Sequence, residues 1–159
     1  MPPEISYRIA TDNDAGELAV LRQRWSPPAV PHSDLERDHY AAHLRQWMRS
    51  SGDRSVCAVA SFEGDFIGMA WLAVFDRVPN PDSFVRLSGD IQSVYVVPEQ
   101  RGLGVATRMV EMLVEIADAR GIASISADSS EQALAFYHRL GFRRSLLLLQ
   151  RKLVGSLPS

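Results

Sequence analysis

Cysteine is all but missing from this chain: Cys57 stands alone among 159 residues, so no intrachain disulfide is available and a reducing compartment is the natural setting. It sits in the apolar run Val56-Cys57-Ala58-Val59-Ala60, which reads as a buried structural thiol and not as a nucleophile. Long apolar runs are lacking too. Nowhere do about 18 apolar residues follow one another, and Met1 to Ala10 has no apolar signal core, so neither a membrane span nor a secretory leader is expected and the protein is placed in the cytoplasm. Excess basic charge is absent: the formal net charge of −2 leaves no general footprint for nucleic acid. Clustered metal ligands are missing as well. His39 and His43 lie four apart on an expected helix, but no acidic residue stands between them in an HExxH order and no further ligand is near in sequence, so no metal is expected. What is present is ordinary for a globule, 46% hydrophobic and 23% charged, with a length that makes residues 1–159 a single domain around one core.

The hydrophobic pattern alternates between strand and helix periods, with no repeat and no low-complexity segment. Ser6 to Ala10 reads as a strand, and Thr11 or Asp12 can cap a helix to about Trp25 that carries Leu18, Leu21 and Trp25 on one face. Ser26-Pro27-Pro28 ends it, Pro31 to Asp38 reads as a polar loop, and His39 to Ser50 as a second helix with Tyr40, Leu44 and Trp47 at helical spacing. Two strands, Val56 to Phe62 and Phe66 to Phe75, are joined by a hairpin turn at Glu63-Gly64-Asp65. After a loop from Asp76 to Ser88 come a fourth strand (89–97), a helix (106–120) ended by Gly121, a fifth strand (122–127), a helix (131–140) and a last strand (146–153). That order predicts an α/β (α+β) fold, a mixed central sheet with helices on both faces.

One stretch carries more chemistry than the rest. Val94-Tyr95-Val96-Val97-Pro98-Glu99 is a β-rich run broken by proline, and Gln100-Arg101-Gly102-Leu103-Gly104-Val105-Ala106 is a glycine-rich turn leading into an amphipathic helix. Gly102 and Gly104 let the backbone approach a ligand and aim successive N–H groups at it, the following helix adds the positive end of its dipole, and Arg101 adds a full charge. A nucleotide P-loop needs Lys-Ser/Thr after its last glycine, and here Val105-Ala106-Thr107 follows. A dinucleotide fingerprint needs a third Gly or Ala, where Thr107 stands, and an acidic residue on the next strand. What remains is a pyrophosphate held almost wholly by main-chain N–H groups, as in an acyl-carrier cofactor.

These residues resemble a known family. Arg101-Gly102-Leu103-Gly104-Val105-Ala106 is similar to the Gln/Arg-x-x-Gly-x-Gly/Ala signature of the GNAT family of N-acetyltransferases, and the run before it resembles that family's fourth strand. Ala133-Leu134-Ala135-Phe136-Tyr137-His138-Arg139-Leu140-Gly141-Phe142 is similar to the family's late helix, which ends in Tyr, three variable residues and Gly-Phe. The resemblance spans the chain in element order and is carried at motif level by residues 90–142, the expected cofactor-binding core. It implies a single-domain GNAT-like fold with a sheet of about six or seven strands, splayed between the fourth and fifth, and acetyl-CoA as co-substrate in the gap. Val94, Tyr95 and Val96 would then line the pantetheine arm, Arg101, Gly102, Leu103, Gly104, Val105 and Ala106 would hold the pyrophosphate, and Thr107 would add a hydroxyl.

For the chemistry the resemblance points to Tyr137, whose phenol can protonate or hydrogen-bond the departing thiolate; from composition and spacing alone it reads as a packed aromatic. The family often places a glutamate base on the fourth strand, where this chain has Asp90 and, two residues on, Gln92 on the same side by alternation. Asp90 then acts as base through water, with Gln92 positioning that water; equally, Asp90 is a strand-entry residue after Gly89. Ser130 occupies a position where the family often has a cofactor-contacting asparagine, and it also suits a helix N-cap. Trp25, Asp34, Glu36 and Asp38 are candidates for an acidic, aromatic-edged acceptor mouth, or simply solvated charges. Two functions follow: an N-acetyltransferase moving acetyl from acetyl-CoA to a primary amine of a small molecule or peptide by direct attack in a ternary complex, or a non-catalytic acyl-CoA-binding regulatory module. No nucleic-acid or membrane partner is expected, and a homodimer is compatible with this size.

Overall fold

In the computed structural model the described residues are 4–25, 32–153 and 155. The turn assigned to Ser26-Pro27-Pro28 lies outside them. The elements in chain order are β1 (Ser6–Ile9), α1 (Ala15–Trp25), α2 (Asp34–Ser51), β2 (Ser55–Phe62), β3 (Asp65–Asp76), β4 (Leu87–Val96), α3 (Val105–Ala119), β5 (Ser124–Ala127) and α4 (Leu134–Arg139). Among the described residues they form one five-stranded sheet in the order β1-β2-β3-β4-β5, antiparallel throughout except for the parallel β4–β5 pair. The class is the expected mixed sheet flanked by helices.

Local chemistry accounts for the element ends. Glu63 and Gly64 turn the β2–β3 hairpin with φ of 52° and 92°, the left-handed pair that matches strand twist. Thr11 heads the first helical segment, where the Asp14 carboxylate accepts from the Thr11 amide at 2.7 Å and pairs with Arg8. Gly121 and Gly141 both sit at positive φ after a helix. At the second, Phe142 donates its amide to the Tyr137 carbonyl (3.0 Å) and Gly141 donates to His138 (3.1 Å), the paired bonds of a Schellman stop.

The helices divide between the two faces of the sheet. A Cβ added to Gly68 of β3 would meet Met109 of α3 at 2.9 Å, so α3 lies against that face, and its buried stripe of Val105, Met109, Val110, Leu113 and Ala117 fills the core there. Ile116 of the same helix is only partly buried. The opposite face carries Trp71, against which Trp47 of α2 makes an edge contact at 5.7 Å. Ala15, Leu18, Ala19 and Leu21 of α1 are also fully buried. Burying each Leu or Met of this size contributes about 1.5–3 kcal/mol.

Three expectations need correction. The sheet has five strands among the described residues, not six or seven, because Leu146 to Leu153 forms none: Leu146, Leu147 and Leu149 are about nine-tenths exposed. That run is apolar without alternation, so hydropathy suggested a strand while nothing in its pattern selected a face to bury. The helix expected from His39 begins at Asp34, inside the stretch read as a loop. Ser33 and Glu36 cap it reciprocally, with the Glu36 carboxylate accepting from the Ser33 amide at 2.7 Å and the Glu36 amide donating to Ser33 Oγ at 3.2 Å. Lastly, residues 131–133 form a tight 3-10 turn, so α4 proper starts at Leu134.

The feature that positions the site is a bulge in β4. Met69 pairs with Tyr95 and Trp71 with Gln92, so Ser93 and Val94 together oppose Ala70 of β3. Ser93 takes φ 51°, a left-handed conformation that costs a non-glycine residue about 1 kcal/mol or more. The extra residue puts Gln92 and Tyr95, three apart, on one face. Past this point β4 parts from β5: their register runs from Ser88↔Ser124 to Ile91↔Ala127 and stops.

Candidate active site

The splay leaves one edge of β4 open. Val97 donates its amide to the Ile67 carbonyl of β3 at 2.9 Å, so by alternation the amide and carbonyl of Val96 point the other way, into the gap. There Arg101 Nε donates to the Val96 carbonyl at 2.9 Å, and its guanidinium lies 5.7 Å from the Tyr95 ring centre. The Arg101 side chain therefore folds back along β4 in place of extending from the loop.

Beside this edge lies a cavity of about 830 Å³. Val94, Tyr95 and Val96 form one wall, while Arg101, Gly102 and Gly104 form the floor with the start of α3. Val105, Ala106 and Thr107 open α3 there, and Ser130 faces the cavity from the other side. The first intrahelical bond is donated by Arg108 to the Gly104 carbonyl at 3.0 Å, so the amides of Val105, Ala106 and Thr107 precede it and have no partner within the helix. Gly102 and Gly104 have φ of 79° and 77°, and a Cβ built at either meets nothing within 4 Å. Glycine is needed there for its backbone conformation, and the space it leaves is open to a ligand. Together these donors, the helix dipole and the open strand edge fit a pyrophosphate followed by an amide-bearing chain.

Two expected residues stand apart from this cavity. Leu103 is 63% exposed on the outside of the loop. Tyr137 lines a neighbouring cavity of about 710 Å³ with Ile125, Ser126 and Ala127 of β5. Ser130 precedes the 3-10 turn without a side-chain capping bond, so its hydroxyl is not committed to the N-cap role.

Tyr137 is fixed by the end of its own helix. As third-last residue before the Schellman stop it contacts Phe142 edge-on at 5.3 Å, the apolar contact that accompanies such stops, and Phe136 at 4.9 Å. The Tyr-x-x-x-Gly-Phe spacing therefore has a mechanical meaning. Burial first, and the Asp90 charge second, raise the Tyr137 pKa above 10, which keeps the phenol protonated. Asp90 is held from two sides: Gln92 Nε2 donates to one carboxylate oxygen at 2.9 Å and Ser126 Oγ to the other at 3.0 Å. Asp90, Gln92 and Ser126 thus form one polar group on the face that carries Trp71, where β4 and β5 separate.

A third cavity, of about 250 Å³, lies on that face between α2 and the bulge. Gln92 and Ser93 form its inner wall, and the next residues of β4, Val94 to Val96, belong to the larger cleft.

Comparison with known proteins adds the chemistry. The model of the Acetyltransferase (GNAT) family matches residues 18–142. This chain belongs to the GNAT family of acetyltransferases. It is 41% identical over 141 residues to a glucosamine 6-phosphate N-acetyltransferase from Trypanosoma brucei brucei, covering 88% of this chain and 90% of that one. It is 29% identical over 137 residues to a probable glucosamine 6-phosphate N-acetyltransferase 2 from Oryza sativa subsp. japonica, covering 84% and 77%. A Clostridium acetobutylicum acetyltransferase solved with acetyl-CoA superposes with a TM-score of 0.74 at 24% identity, over 96% of this chain and 99% of that one. The protein is an acetyl-CoA-dependent N-acetyltransferase.

Several residues of this GNAT site were not foreseen. Trp25, expected at an acceptor mouth, stacks on Tyr95 at 5.4 Å and lines the larger cleft instead. Phe136 and Arg139 of α4 line the same cleft, and their helical spacing three apart was a readable signal. The acidic residues expected beside Trp25 are engaged at the start of α2: Glu36 closes the capping box, and Arg37 pairs with Asp34 at 3.1 Å and Asp38 at 3.7 Å. His43 faces the smaller cavity, and among the described residues no group of three or more His, Cys, Asp and Glu is placed to hold a metal. Cys57 is buried at 1% exposure, which pushes its thiol far above the usual range. Among the described residues no helix is long and apolar enough to cross a membrane.

Proposed function

We propose that this acetyltransferase acetylates a primary amine by direct attack in a ternary complex, with acetyl-CoA in the larger cleft and the amine in the smaller cavity. The observation that carries this reading is that consecutive residues of the β4 bulge line both spaces, Gln92 and Ser93 the smaller and Val94 to Val96 the larger. Asp90, through a water oriented by Gln92, takes a proton from the incoming ammonium. The amine nitrogen then forms a bond to the thioester carbonyl carbon, the carbon–sulfur bond breaks as Tyr137 gives its proton to the departing thiolate, and the surplus proton on the new amide nitrogen is lost to water, from which the Tyr137 phenolate is re-protonated. A phenol kept protonated by burial and by the Asp90 charge supports that role. Arg101 to Thr107, with Ser130, supply the pyrophosphate contacts.

A covalent relay is disfavoured because the only thiol, Cys57, is buried and far from ionising. The Asp90 carboxylate, whose charge acts on Tyr137, favours an enzyme over a binding module that has lost its base. The two relatives above are named for glucosamine 6-phosphate, whose 2-amino group supports a primary-amine acceptor here. The reading is tested by following free-thiol release from acetyl-CoA across a panel of amines. Amine-dependent release is expected; tight acetyl-CoA binding with no release for any amine would contradict it.

A further inference from the structure

We infer that the acceptor is a small primary amine carried on an aromatic or apolar body; this rests on the acetyl-transfer reading above and narrows it. Tyr40, His43, Leu44 and Trp47 recur at helical spacing, so one face of α2 looks across the smaller cavity at Trp71 and Gln92. Its volume, about 250 Å³, suits a single small molecule. Trp47 and Trp71 meet edge-on, at 62° between ring planes, and Tyr40 and Trp47 remain 40% and 43% exposed. Large aromatic side chains left half open at a cavity wall offer ring faces to an apolar body and to a nearby cation.

A phosphorylated acceptor needs guanidinium or ammonium donors around its phosphate. Among the described residues, neither lysine nor arginine lines this cavity. The arginines of α2 nearest in sequence to Trp47 turn the other way: Arg45 Nε donates to the Asp12 carbonyl at 3.3 Å and Arg49 Nε to the Asp12 carboxylate at 2.5 Å. Arg22 of α1 lies 4.6 Å over the Trp25 ring and lines a separate cavity of about 240 Å³ with His32, Arg37 and Tyr40, not this one. At the inner end the fixed charge is negative, since Gln92 is hydrogen-bonded to the Asp90 carboxylate. That sign attracts an ammonium and repels a phosphate.

The test is a competition between acceptor chemistries on the full chain at saturating acetyl-CoA, read as thiol release with 2-phenylethylamine, n-hexylamine and glucosamine 6-phosphate. The expected kcat/KM for 2-phenylethylamine is at least about 10-fold above that for glucosamine 6-phosphate, with n-hexylamine between them. Trp47→Ala and Trp71→Ala should each raise KM for 2-phenylethylamine about 10-fold while leaving acetyl-CoA affinity in place. Should either variant lose its helical circular-dichroism signal, His43→Lys takes its place: a cation at the wall should shift the preference toward glucosamine 6-phosphate, and an unchanged ratio counts against the inference. A wild-type preference for glucosamine 6-phosphate would overturn the aromatic assignment and leave acetyl transfer standing. No release with any amine, despite acetyl-CoA binding, would overturn both.

Discussion

The larger cleft and the smaller cavity share one strand but recognise by different means. Around the cleft the main chain supplies the amides opening α3, the loop at Gly102 and Gly104, and the edge of β4 that β5 leaves beyond Ile91, with Arg101 and Ser130 beside them. Around the cavity the contacts come from side chains, with Tyr40, Trp47 and Trp71 as walls and Gln92 reaching to Asp90. Main-chain recognition depends on backbone conformation and survives wide changes of side chain, which suits a co-substrate common to a family. Side-chain recognition can change residue by residue, which suits an acceptor that differs between members.

The difference can be broken first at the chemistry, at Tyr137 in the neighbouring cavity. Tyr137→Phe keeps the ring and its contacts with Phe136 and Phe142, so packing survives and only the proton is lost. Its kcat should fall by roughly 10²-fold while acetyl-CoA affinity barely moves, as measured by single-turnover rates beside calorimetric titration. Wild-type turnover in this variant would return Tyr137 to a packing role. Because burial and Asp90 raise the phenol above 10, the protonated form persists through neutral and mildly alkaline pH. In the wild-type pH profile, loss of the Tyr137 proton should therefore produce no fall in kcat below about pH 9.

Asp90→Asn comes next in size, with an expected loss of about 10-fold at pH 7, within reach of general-base contributions. The loss should shrink as pH rises toward the acceptor amine's own pKa, where free amine no longer needs a base. A uniform loss across the pH range would assign Asp90 to holding β4 and β5 together through Ser126. The smallest effect is expected at Arg101→Ala. This change removes a charge but no main-chain donor, so acetyl-CoA affinity should weaken about threefold at low salt and less at high salt. Salt-independent loss would point instead to its bond with the Val96 carbonyl.

The same contrast explains what the sequence disclosed. Gly102, Gly104 and Gly141 are legible because positive φ selects glycine, and the spacing from Tyr137 to Phe142 is legible because a Schellman stop has fixed geometry. The alternating and helical periods likewise located nearly every element. The bulge was not legible: Ser93 carries no signal for φ 51°, and without it Tyr95 is assigned to the wrong face relative to Gln92. Ser33-Asp34-Leu35-Glu36 did hold a capping-box signal for the start of α2, hidden among polar residues that read as a loop. The aromatic cavity needed the fold itself, because Trp47 and Trp71 come from a helix and a strand whose encounter no local pattern encodes.

The division between main-chain and side-chain recognition is tested most directly by titrating acetyl-CoA calorimetrically into folded Gly104→Val and Trp71→Ala side by side. Valine at Gly104 disfavours φ 77° and fills space beside the amides opening α3, so acetyl-CoA affinity should drop at least about 10-fold, whereas Trp71→Ala should bind it as wild type does. Unchanged affinity in a folded Gly104→Val protein, or an equal loss in both variants, would contradict the account.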